Sequence, residues 1–140
     1  MKNDPQALLN ELTSAENFDR FIHDHKNCFT APSVPDVLNQ YLKASPMSKA
    51  SLARAAGLSE VYLHQILSGK RLPSRDRVLS LCLALQMPLS EVQQLLTECS
   101  YAGLYVYRQR DAVIIYAIVN HWDVYRLNEK LIELGEAPLF

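Results

Sequence analysis

The chain has 140 residues, enough for one domain or for a small domain with appended helices. Hydrophobic residues make up 49% and charged residues 21%, with a net charge of −1. That balance excludes a disordered chain and a uniformly basic nucleic-acid binder. No apolar run approaches the ~18 residues of a membrane span. The start, Met1-Lys2-Asn3-Asp4-Pro5, has no apolar signal-peptide core. A soluble cytoplasmic protein is therefore expected. The three cysteines, Cys28, Cys82 and Cys99, are an odd and scattered set that suits a reducing compartment.

Nearly every segment reads as helix. Leu8, Leu9 and Leu12 mark a first short helix; Phe18, Phe21 and Ile22 mark a second, with Ser14 placed to cap it. The linker Thr30-Ala31-Pro32-Ser33 follows, and Pro35 suits the first turn of the next helix. That helix sets Val37, Leu38, Tyr41 and Leu42 on one face and stops at Ser45-Pro46. Charge is uneven along the chain: residues 1–32 carry −2, residues 33–104 carry +2, and residues 105–140 carry −1. Lys70, Arg71, Arg75 and Arg77 cluster within the middle segment. Such a patch serves phosphate binding even in a neutral chain, because screening makes those contacts short-ranged.

Residues 46–73 carry the sharpest pattern. Ser48 is placed to cap a helix that buries Leu52 and Ala53, the alanine allowing a close helix crossing. Gly57 stands where that helix must end in the left-handed region. Leu58 plugs the turn, Ser59 caps the second helix, and Leu63 and Ile66 point inward. Gly69 ends that helix, and Lys70-Arg71 and Pro73 follow. This is a helix-turn-helix, and the second helix is expected over 59–68.

A repeat follows. Shifted by 35 residues, Arg75-Asp76 falls on Arg110-Asp111, Val78 on Val113, Leu96 on Leu131, Glu98 on Glu133, Ala102 on Ala137 and Leu104 on Leu139. Each copy reads as a helical hairpin. Ser90 with Gln93 suggests a capping box in the first, and Asp123 is the equivalent N-cap in the second, which stops at Gly135 and Pro138. The run Val113-Ile114-Ile115-Tyr116-Ala117-Ile118-Val119 suits a buried helix better than a strand. With Trp122 it packs on the core or forms a dimer interface.

The stretch 46–73 resembles the Cro/CI-type (XRE) helix-turn-helix family. The wider chain is similar to XRE-like proteins of Gram-positive bacteria, through Leu58-Ser59, Tyr62, Gln65-Ile66-Leu67-Ser68-Gly69-Lys70, Pro73-Ser74-Arg75-Asp76, Leu104-Tyr105 and Arg110-Asp111. The resemblance implies an all-α chain. A five-helix, lambda-repressor-like DNA-binding domain would cover 33–104, after an N-terminal helical extension over 1–32. A C-terminal hairpin over 105–140 would pack on it. It also implies a transcriptional regulator, a repressor, that reads double-stranded DNA in the major groove, often as a homodimer.

By the family pattern, Glu60, Val61 and Gln65 face bases. Gln65 suits adenine, Glu60 only cytosine N4, and Val61 a thymine methyl. Lys49, Ser59, Lys70, Arg71 and Arg75 are the expected phosphate contacts. Three of these have plainer readings, the first being Gln65 as an ordinary exposed helix residue. Glu60 is also the acid that a helix N-terminus favours, and Arg75-Asp76 recurs outside the reading helix, which argues for a structural pair. The low charge and Glu60 keep a second function open, an adaptor that binds a protein partner on the same fold. His23, His25 and Cys28 have metal-ligand types but not ligand spacing. With four glycines and no phosphate-loop, Rossmann or nucleophile-elbow motif, neither an enzyme nor a cofactor is expected.

Overall fold

The computed structural model describes residues 5–29 and 32–140. Met1–Asp4, and Thr30 and Ala31 of the expected linker, lie outside the described residues. The described residues hold helices and turns and no strand, so the fold is all-α. The chain divides into two compact units, Met1–Ala31 and Pro32–Phe140.

The first unit holds α1 (Pro5–Ser14), α2 (Phe18–Asp24) and a 3-10 turn (Lys26–Phe29). α1 buries no residue. The cap of α2 is Asn17, whose side chain accepts from the Arg20 N–H at 3.0 Å. Ser14 is instead the last residue of α1, and its hydroxyl donates back to the Asn10 carbonyl at 2.8 Å. A serine inside a helix finds its own i−4 carbonyl more readily than a helix that begins four residues later. Phe21 is buried against the His25 ring, 4.6 Å between centroids. His25 Nε2 lies 2.9 Å from Glu11.

The second unit holds α3 (Val34–Ala44), α4 (Lys49–Ala56), α5 (Glu60–Leu67), α6 (Arg75–Ala84), α7 (Leu89–Glu98), α8 (Gln109–Val119) and α9 (Val124–Glu133). Its core is continuous and runs from Leu38, Leu52 and Leu63 through Leu79 and Leu96 to Ile114 and Leu131, all of them fully buried. Each such side chain contributes about 1.5–3 kcal/mol of apolar burial. α4 packs against α5 and α6, and α3 against α5.

The expected capping box at Ser90 and Gln93 does not form. Pro88, with φ −62° and ψ 151°, starts α7 without a side-chain cap, so Ser90 falls inside the first turn. Gln93 turns to Leu104 instead. Its Oε1 accepts from the Leu104 N–H at 2.7 Å, and its Nε2 donates to the Leu104 carbonyl at 2.8 Å.

The 35-residue repeat is present in the backbone itself. α7 and α9 coincide at that offset, as do the left-handed turns at Gln86 and His121, and those at Ser100 and Gly135. Asn128 accepts from the Leu139 N–H at 2.7 Å, just as Gln93 does from Leu104. The first hairpin is α6–α7 and the second α8–α9.

Candidate nucleic-acid interface

α5 is held at both ends by local chemistry. Ser59 accepts from the Tyr62 N–H at 3.1 Å and satisfies one orphan donor of the first turn. Ahead of it, Gly57 closes α4 at φ +71°, with the Leu58 N–H donating to the Ala53 carbonyl at 2.8 Å. At the far end the Asn39 side-chain amide of α3 donates to the Leu67 carbonyl at 3.0 Å, and Gly69 turns the chain at φ +83°. Leu63 and Ile66 are fully buried, which fixes how α5 is rotated. The helix proper is Glu60–Leu67; Ser59 and Ser68 of the expected 59–68 span are its caps.

That rotation leaves Glu60, Val61 and His64 exposed, Val61 at 68%. Gln65 and Tyr62 are half-buried. Lys49 is exposed at the start of α4, and Ser59, Lys70 and Arg71 are exposed at the two ends of α5. The guanidinium of Arg71 lies over the Tyr62 ring at 5.7 Å, and its backbone N–H returns to the Gln65 carbonyl at 3.1 Å. Glu60, Val61 and Gln65 thus share one short helix, and the exposed Lys70 and Arg71 follow it. Residues 37–95 match the family model of a helix-turn-helix domain. The match runs from α3 into α7 and contains the whole α4–turn–α5 unit. Where a helix-turn-helix binds DNA, its second helix enters the major groove. No curated protein and no solved structure matches the chain.

The guanidinium of Arg75, also expected at phosphate, is engaged by the chain itself. Its Nε donates to the Ala102 carbonyl at 2.8 Å and its Nη2 to the Gly103 carbonyl at 3.0 Å. Both terminal nitrogens also reach the Asp111 carboxylate, at 3.2 and 3.1 Å. Asp111 is buried and accepts a further bond from the Tyr105 N–H at 2.9 Å. The guanidinium is committed to joining the two hairpins. Arg110 does the same in reverse, donating to the carbonyls of Ala137 and Pro138 and to Asp76.

Two contacts to the helix-turn-helix domain come from far along the chain. The Tyr125 hydroxyl of α9 donates to the Arg54 carbonyl of α4 at 2.7 Å. The Phe140 ring lies against Gly57 so closely that a Cβ there would sit 2.3 Å from it. Arg77 stacks between the Tyr62 and Phe140 rings, at 5.9 and 5.8 Å. Its Nη1 is buried and makes no hydrogen bond. The second hairpin therefore braces the turn that aims α5.

Behind this surface, burial pushes the Cys82 thiol up to about 12, and the neighbouring Cys99 adds to the shift. Burial also raises Tyr101, whose hydroxyl donates to the Pro73 carbonyl at 2.5 Å. Cys28, Cys82 and Cys99 form no disulfide with one another. Among the described residues no group of three or more His, Cys, Asp or Glu is placed to hold a metal ion, and no helix is long and apolar enough to cross a membrane.

Proposed function

We propose that the domain over 33–104 binds double-stranded DNA in the Cro/CI manner, as a cytoplasmic transcriptional repressor. α5 lies in the major groove, and the hairpin over 105–140 braces it. The observation that carries this reading is a helix capped at both ends, with Glu60 and Val61 exposed, Gln65 half-buried on the same helix, and the exposed Lys70 and Arg71 directly after it. Gln65 reads adenine, Val61 a thymine methyl and Glu60 cytosine N4. Ser59, Lys49, Lys70 and Arg71 hold the phosphates; Arg75 has no part in this set.

Selection from a random DNA pool tests the reading. An enriched motif containing adenine should emerge, and Gln65→Ala should lose about 10- to 100-fold on it. Lys70→Glu should weaken binding to all sequences. With three cations on phosphates, log affinity should fall with log salt at a slope of about −3. Repression requires that the selected site, placed over a promoter, lowers run-off transcription when protein is added.

Glu60 favours a second reading, since an acid at the front of a groove helix is repelled by phosphate. In that reading the domain is an adaptor for a protein partner. A pool that yields no enriched motif would replace the first reading with this one.

A further inference from the structure

The two hairpins are equivalent along the chain but differ in what surrounds them. At the 35-residue offset Val78 corresponds to Val113, Leu81 to Tyr116 and Met87 to Trp122. In the first hairpin all three are buried, at 0%, 0% and 2% exposure, in the core that α6 shares with α4. In the second hairpin Val113 and Trp122 are half-buried and Tyr116 is 58% exposed. They floor an open groove of about 680 Å³ between α8 and α9. An apolar face that one copy buries is therefore kept apolar and left open in the other. Open apolar faces of this kind mark association surfaces.

The rim of the groove indicates what covers it. α9 supplies Arg126, Glu129, Lys130 and Glu133, all lining the groove. The spacing i, i+3, i+4, i+7 makes them one stripe of the helix. Two bases and two acids in this order are self-complementary when two copies of α9 run antiparallel. With the two-fold axis midway between positions 129 and 130, Arg126 faces the second copy's Glu133, and Lys130 faces the second copy's Glu129. One axis satisfies all four charges. A ligand of a single charge sign would leave two of them opposed. Arg126 already stands over the Trp122 ring at 4.2 Å, which orients the cation at the rim. Within its own chain Lys130 pairs with the exposed Glu133, at 3.0 Å.

We propose that the α8–α9 groove is a homodimer interface, occupied by α9 of a second copy of this chain. The interface is isologous, so each residue pair occurs twice. It is independent of whether the helix-turn-helix domain binds DNA.

Sedimentation velocity of the full chain, without DNA, over about 1–100 µM tests it; that range spans a modest apolar interface. A reversible monomer–dimer equilibrium is expected. Tyr116→Glu should abolish it, while the melt of the dilute chain falls by no more than about 2–4 °C, the loss of the Tyr116–Trp122 edge contact at 5.6 Å. Lys130→Glu should weaken dimerisation at least tenfold, by setting acid against the second copy's Glu129. The double variant Glu129→Lys/Lys130→Glu should return it to within a few-fold. A chain that stays monomeric throughout overturns the proposal. So does a dimer indifferent to Tyr116→Glu, or a double variant that restores nothing.

Discussion

The reciprocal pairs between the hairpins should differ in strength, and the difference follows from burial. Asp111 exposes 6% of its side chain and accepts from both terminal nitrogens of Arg75 and from the Tyr105 N–H. Asp76 exposes 36% and accepts from one nitrogen of Arg110, at 2.9 Å. Removing one member of a buried, multiply bonded pair leaves the other charge uncompensated, at about 3–5 kcal/mol. Because Arg75 retains 23% exposure and two carbonyl partners, the lower end applies to Asp111→Ala, about 3 kcal/mol. Asp76→Ala removes a half-solvated pair, and about 1 kcal/mol is expected. At about 2–4 °C per kcal/mol for a chain of this size, Tm should fall by about 6–12 °C for Asp111→Ala and about 2–4 °C for Asp76→Ala. Thermal and urea unfolding followed by far-UV circular dichroism measure both. Equal losses for the two variants, or a larger loss at Asp76, would refute the assignment of Asp111 as the buried anchor.

Three further outcomes are expected. Gly57→Ala should cost more than Gly69→Ala, although both positions hold positive φ (+71° and +83°). The left-handed conformation costs an L-residue about 1–2 kcal/mol at either site, but only at Gly57 must the Phe140 ring also move; equal urea midpoints would contradict that packing. The Cys82 thiol is held protonated in the fold, up to about 12 against its ordinary 9.0. Its contribution to stability is therefore complete below pH 9 and is lost as pH rises from 9 towards 12, at up to about 1.4 kcal/mol per pH unit. Comparing unfolding of the native chain with Cys82→Ala at pH 8 and pH 10.5 should show the native chain losing more. Tyr125→Phe removes one hydrogen bond to the Arg54 carbonyl, about 1 kcal/mol. Amide exchange at Gly57 and Leu58 should quicken in that variant while exchange in α7 stays unchanged.

The helix-turn-helix was legible because its signals are local. Ser48, Ser59, Gly57 and Gly69 each act within four residues of their own position, so composition and spacing reveal them, and each stands in its expected cap or turn. Local competition also explains the two expected caps that fail, where Ser14 and Ser90 lie inside helices that begin or end elsewhere. The brace from Tyr125 and Phe140 left no such trace. Its partners, Arg54 and Gly57, lie some 70–80 residues away, and an aromatic at a helix start or chain end has no periodicity that names a distant carbonyl. Gly57 did carry a weak hint, since glycine also permits close approach by another group. Arg75 was readable as a structural residue from its recurrence at Arg110, but its position among the cations after α5 pointed equally to phosphate.

That recurrence shows what a repeat in sequence establishes and what it leaves to the fold. An offset of 35 makes Arg75 equivalent to Arg110 and Asp76 to Asp111, yet it is silent on whether each arginine meets the aspartate beside it or the one in the other copy. Stacked repeats related by translation would let one arginine reach the next copy and leave the last arginine facing none. Here Arg75 reaches Asp111 and Arg110 reaches Asp76, and α6 contacts α9 while α7 contacts α8. Reciprocal contacts of that kind belong to a two-fold relation, the same logic that governs an isologous dimer. The second hairpin therefore stands to the first as a subunit stands to its partner, within one chain. Their shared face is closed, and so the apolar groove left on the outer side of α8–α9 is not a remnant of that contact but a separate surface, which the symmetry of its own charges must explain.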